Sequence, residues 1–237
     1  MFKKFVLAVA VILGVCIYSN NVYAANITYL VDTPTYSILD YGSYDIQFRV
    51  FSGGGVLTKL NVGIFKVLNI GVSWELGGLI GADDVTVALP ALQVKLNVYS
   101  GSEKLPGFAI GYDGQGFFYN KDDEDFIQKG KGAYIVFGKE LFFPRLDFNA
   151  GINVNDFKDP RLLGFVSTYY EIIEEALMVM LEYDNLGQGK DARLNGGFRV
   201  WITENFDLDF ILRNFTTTDK EKNGCERILK ISYQSRF

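Results

Sequence analysis

The 237-residue chain is 49% apolar and 22% charged, with a formal net charge of −5, 25 Gly, 20 Phe and 14 Tyr against only 5 Pro. This size bounds it to one sizeable domain or two small ones, and the lack of any basic run after residue 4 excludes the basic footprint of a nucleic-acid binder. His is absent, which removes Ser-His and Cys-His nucleophile pairs, His general bases and imidazole metal sites together.

The chain opens with Lys3 and Lys4, an apolar run "FVLAVAVILGVCIY", and "NNVYA" with Val22 and Ala24 at the −3 and −1 positions of a cleavage site. Residues 1–24 are expected to be a signal peptide removed after Ala24. Lipid attachment at Cys16 is disfavoured because Val15 stands where a small residue is needed. With Cys16 gone, Cys225 is alone, and an exported protein of this composition has no intrachain disulfide. Past the signal, no stretch reaches the roughly 18 consecutive apolar residues of a membrane-spanning helix. Residues 25–43 are expected as a periplasmic lead-in, with one further strand as the alternative.

From residue 44 onward, apolar and polar residues alternate. In "YDIQFRV" Tyr44, Ile46, Phe48 and Val50 interleave with Asp45, Gln47 and Arg49. The same pattern holds in "TKLNVGI", "IGVSWEL", "LQVKLNV", "RLDFNAGINV" and "FDLDFILR". Strands are expected near 44–52, 56–65, 69–78, 91–100, 105–114, 132–142, 145–154, 162–171, 176–185, 191–202, 205–214 and 226–237. Most are about ten residues long, enough for a tilted strand to cross a bilayer, where soluble strands average nearer five or six.

Alternation alone leaves the outward series open: a soluble lipocalin-like barrel puts the apolar series inside, a membrane barrel outside. Connection lengths favour the membrane barrel. Short turns such as "KVL", "SGSEK", "FP", "IIEEA" and "TEN" alternate with longer loops at 79–90, 115–131, 155–161, 186–190 and 215–225. Short turns on one rim and long loops on the other mark outer-membrane barrels, with both termini on the periplasmic side. Two segments are ambiguous: "EIIEEALMVMLE" (171–182) also reads as helix, and "AYIVFGKELFF" alternates poorly.

"GYDGQG" (111–116) imitates a phosphate-cradling loop but lacks its spacing and a following helix, so it reads as a strand end entering a loop. "KDDED" (121–125) and "ADD" (82–84) match no calcium loop and read as solvated tips. Neither cofactor nor metal is expected. Asp207 and Asp209 share one strand face and read as lumen carboxylates neutralised by Arg or Lys rather than as an acid/base pair.

With the apolar series facing lipid, the lumen lining is expected to be Asp45, Arg49, Lys59, Glu75, Lys95, Asp113, Arg145, Asp147, Glu182, Arg193, Arg199, Asp207, Asp209 and Arg213. These charges could brace the interior or line a narrow aqueous path. Gly63, Gly71, Gly111, Gly151 and Gly197 fall in the same series and leave room for long partners. The C-terminal "ILKISYQSRF" turns Leu229, Ile231, Tyr233 and Phe237 to lipid, and its final Phe resembles the signal read by outer-membrane barrel assembly machinery.

Three stretches, "PTYSILDYGSYDIQFRVFSGGGVLTKLNVGIFKVLNIGVSWE" (34–75), "PALQVKLNVYSGSEKLPGFAIGYDGQG" (90–116) and "KGAYIVFGKELFFPRLDFNAGIN" (131–153), resemble the YjbH-like outer-membrane barrels, as do "LEYDN" and "LNGGFRVWITENFDLD". The family's namesakes are much longer, and the likeness covers only their barrel portion. It implies an association with exopolysaccharide production or secretion and supplies no active-site residues. The expectation is an all-β, non-enzymatic, twelve-stranded transmembrane antiparallel barrel over 44–237. It would sit in outer-membrane lipid as a small pore or export-associated barrel for a polar solute or polysaccharide. The alternative is a non-conducting structural or surface-interaction barrel with a salt-bridged lumen.

Overall fold

The computed structural model describes residues 26–82, 84–158, 160–187, 192–215 and 224–237. The expected signal peptide and Asp83 of the "ADD" tip lie outside these residues. Fifteen strands occur among them: β1 (Ser43–Phe51), β2 (Gly55–Phe65), β3 (Leu68–Gly77), β4 (Thr86–Val87), β5 (Ala91–Tyr99), β6 (Gly107–Asp113), β7 (Phe117–Asn120), β8 (Asp125–Gln128), β9 (Gly132–Glu140), β10 (Leu146–Val154), β11 (Leu162–Ile173), β12 (Leu177–Leu186), β13 (Arg193–Thr203), β14 (Phe206–Arg213) and β15 (Glu226–Arg236).

Twelve of them close an antiparallel barrel in which each strand pairs with the next and β15 returns to β1, setting Phe48 opposite Ile231 and Arg49 opposite Lys230. Of the remaining three, β4 extends the pairing of β3 past the end of β5, while β7 and β8 form a separate hairpin. Closure leaves no unpaired sheet edge, which a bilayer would penalise heavily.

Alternation places the two residue classes on opposite walls. Phe48, Ile70, Leu92, Ile110, Ile135, Phe148, Val179, Phe198 and Phe210 are exposed on the outside. Asp45, Arg49, Glu75, Lys95, Asp209 and Arg213 are buried inside. This inverts a soluble barrel and matches a wall whose outer solvent is hydrocarbon. At the C-terminus Leu229 and Ile231 lie on the outer wall and Tyr233 and Phe237 are exposed, with the Tyr44 ring 5.0 Å from that of Phe237.

The two ambiguous segments resolve as strands. β11 runs to Ile173 and β12 starts at Leu177, with Glu175 in the left-handed region (φ 55°) to make the turn. Strand pairing on both sides outweighs local helix propensity there. In β9, Tyr134 and Val136 face inward and are buried while Ile135 and Phe137 face outward, so both series are apolar and the pattern is blurred.

Residues 26–39 correct an expectation. The expected periplasmic lead-in, like the alternative extra strand, is replaced by a hairpin inside the barrel. Tyr29 bridges Pro34, Thr35 N donates to Thr28 O (3.1 Å), and Leu30 N donates to Thr33 O (3.1 Å). Leu30, Thr33 and Leu39 are fully buried. The hairpin bonds residues of β1, β5, β12, β14 and β15, strands spread around the wall, which is possible only from within.

Candidate functional site: a plugged lumen

The hairpin enters at the short-turn end, where Gly42 N donates to Gly63 O (2.8 Å). A Cβ at Gly63 would stand 2.1 Å from Asp40 O, so the chain passes the wall only because residue 63 has no side chain. Next, the Tyr36 ring fills a recess between Gly107 and Gly138, which oppose each other on β6 and β9. Asn97 Nδ2 donates to Tyr36 O (3.0 Å), and Lys95 Nζ donates to Ser37 O (3.0 Å) and Thr28 O (2.7 Å). Lys59 and Lys95 lie 5.0 and 4.8 Å from the Tyr29 ring centroid.

The hairpin tip reaches the long-loop end. Asp32 accepts from Arg49 Nη1 on β1 (2.7 Å) and Arg213 Nε on β14 (2.5 Å). Both guanidinium carbons lie over the buried Phe117 ring of β7, at 4.5 and 4.4 Å from its centroid. Glu182 on β12 accepts the backbone N–H groups of Val31 (3.2 Å), Asp32 (3.0 Å) and Thr33 (3.0 Å) and the Thr33 hydroxyl (2.8 Å). Lys230 Nζ donates to Leu30 O (3.2 Å). The β7–β8 hairpin also folds against the opening, with Tyr119 N donating to Glu75 (2.9 Å). Beside its turn, burial acts to raise the Asp125 carboxyl, but the Lys129 ammonium and the Phe126 N–H outweigh it and hold it below its ordinary value.

Ion pairs and hydrogen bonds hold further charged side chains of the interior. Arg199 grips Asp209 through Nε (2.7 Å) and Nη2 (2.9 Å) and lies 3.3 Å from Asp207; Lys230 adds a contact to Asp209 (2.6 Å). Arg213 donates to Glu226 (3.0 Å), Lys59 to Asp113 (3.3 Å) and Arg193 to Gln128 (2.8 Å), while Lys131 pairs with Asp184. Asp45 accepts from Gln47 (2.6 Å) and Asn61 (3.3 Å).

Two of the expected lining residues behave differently from the rest. Arg145 lies on the short-turn rim in a left-handed turn (φ 69°), 3.6 Å from Glu174, because β10 starts one residue later than expected. Asp147 is half-buried opposite Tyr169 and Glu140 near the same rim. Sequence reasoning missed Asp32, Lys131, Asp184 and Glu226; the alternation of the C-terminal strand does turn Lys230 inward, where it is buried. Strand parity with Glu182 would have found Asp184, and parity with Lys230 would have found Glu226; nothing in the pattern marked Asp32. It also missed an apolar patch of Met178, Met180, Trp201, Ile211 and Ile228 on the inner wall, against which Ile27, Leu30 and Val31 pack.

The interior is consequently full. Cavities of about 30 and 20 Å3 lie within it, one beside Asp32, Arg49 and Lys59, another beside Tyr29, Gln93 and Lys95. Each has room for a water or two.

No protein-family model matches the chain, and no curated protein matches it. In solved structures the chain is similar to the KdgM porin, with a TM-score of 0.54 at 10% identity over 82% of this chain and 99% of that one. The "KdgM porin in complex with disordered oligogalacturonate" is similar to it with a TM-score of 0.53 at 10% identity, over the same shares of the two chains. At such identity the likeness establishes the fold alone: a closed twelve-stranded antiparallel barrel.

Proposed function

We propose that the chain is an outer-membrane barrel that passes a small polar solute when its N-terminal hairpin leaves the lumen. The observation that carries this reading is that the hairpin, an insert outside the barrel sheet, fills the space a twelve-stranded wall would otherwise enclose. A carbohydrate solute is supported by the oligogalacturonate complex of the similar porin and by the YjbH-like resemblance, which links such barrels to exopolysaccharide. Residues 1–24 would direct export, and Leu229, Ile231, Tyr233 and Phe237 would present the C-terminal strand to the assembly machinery.

The test compares planar-bilayer currents of the mature chain with those of a chain lacking residues 26–39, both checked for heat-modifiable gel mobility. The mature chain should stay closed and the shortened one should conduct. Closed bilayers with well-folded shortened chain would overturn the pore. The second reading, a non-conducting surface barrel, would then stand, favoured by the Arg199–Asp209–Lys230 cluster that braces the wall largely without the hairpin.

A further inference from the structure

We infer that Arg49 and Arg213 form a carboxylate-binding site of the lumen, occupied at rest by Asp32 and available, once the hairpin withdraws, to a carboxylate-bearing solute. The inference rests on the reading of the hairpin as a removable plug and narrows the class of solute.

Each Asp32 oxygen has its own guanidinium, Oδ1 from Arg49 (2.7 Å) and Oδ2 from Arg213 (2.5 Å). Charge-assisted contacts of this kind are among the stronger hydrogen bonds a protein makes. Both cations also have supports outside residues 26–39. Arg213 is fixed by Glu226 (3.0 Å), and the Phe117 ring lies against both guanidinium groups. Arg49 and Arg213 are almost wholly buried, at 5% and 1% exposure, and two of their donors, Arg49 Nε and Arg213 Nη2, have no hydrogen-bond partner. The pair thus offers more donor capacity than Asp32 uses.

The other wall cations repeat the theme. Lys95 meets the hairpin through Thr28 O and Ser37 O, oxygens that leave with it, while Lys230 loses Leu30 O and keeps Asp209 (2.6 Å). Against them, Glu182 is the wall carboxylate that receives the hairpin's N–H groups. Withdrawal of the hairpin removes oxygen acceptors from Arg49, Arg213, Lys95 and Lys230, and N–H donors from Glu182. At the Arg49–Arg213 end the vacated lumen offers donors to an oxygen-rich anion.

Chemical rescue tests the site without requiring conduction. In the mature chain Asp32→Ala should lower the thermal midpoint. Sodium acetate or sodium D-glucuronate should restore part of it, while D-glucose and sodium chloride at matched concentration should not; adding R49Q to the alanine variant should abolish the rescue. Equal recovery with chloride, or none with either carboxylate, would overturn the site. Rescue alongside closed bilayers from the shortened chain would sink the pore reading and leave the site standing. If Asp32→Ala yields no heat-modifiable barrel, the chain lacking residues 26–39 decides the matter. Its reversal potential in a KCl gradient should show anion preference and D-glucuronate should reduce its current. Cation preference or indifference to glucuronate overturns the proposal.

Discussion

Glu182 on β12 accepts the backbone N–H of Thr33, a residue 149 positions earlier in the chain, at 3.0 Å. The N–H groups of Val31 and Asp32 converge on the same carboxylate. Successive N–H groups arranged this way make an anion-binding concavity, and here the anion is supplied by the wall.

Glu182→Gln keeps the size of that anchor but removes its charge and turns an amide towards N–H donors. Hydrogen bonds to a charged group are worth about 1.5–3 kcal/mol, so we expect destabilisation of about 2–3 kcal/mol, read as a lower denaturation midpoint in detergent micelles. Current through bilayers should rise as the hairpin loosens. An unchanged midpoint would mean the carboxylate is not the anchor.

Asp209→Ala leaves Arg199 and Lys230 facing each other in the wall, with Asp207 3.3 Å from Arg199 and Asp45 also near. Removing one partner from a buried ionic cluster costs about 3–5 kcal/mol, measurable as a lower temperature for the heat-modifiable gel shift. Because this cluster braces the wall, the current should stay well below that of the chain lacking residues 26–39.

Leu208 lies on the outer wall of β14, between the inward Asp207 and Asp209. Leu208→Arg should cost about 2–4 kcal/mol if the position is near mid-bilayer, measured by folding into lipid vesicles. Tolerance of the arginine would contradict the assignment of faces.

Gly138 matters for what its missing side chain admits. A Cβ there would approach the Tyr36 ring to 2.3 Å and Asn149 Oδ1 to 2.2 Å. Gly138→Val should expel the Tyr36 ring at an overpacking cost of about 1–3 kcal/mol. Protease cleavage within residues 26–39 should then become faster; protection equal to that of the unaltered chain would refute the packing role.

The wall was legible in the sequence and the plug was not, for a physical reason. Wall strands such as β1 and β10 carry period-2 patterns of about nine residues because each sees lipid on one side and water or charge on the other. The segment "NITYLVDTPTYSIL" meets the wall on all sides, so no period is imposed on it, and Asp32 looks like any loop aspartate. The inward Met178, Met180 and Ile211 were obscured similarly: they are apolar on a face expected to be polar, because apolar hairpin residues pack there. Arg145 shows the usual error of one residue at an element boundary.

The hairpin's partners also impose an order of assembly. Val31 and Glu182 are 151 positions apart, Asp32 and Arg213 181, and Leu30 and Lys230 200. Contacts of such sequence separation form late, since the intervening chain must first be brought together. The segment nearest the N-terminus therefore docks after β12, β14 and β15 are in the wall. The hairpin has its full set of partners only when β15 is in place, so a fully bonded hairpin certifies that the last strand has been laid.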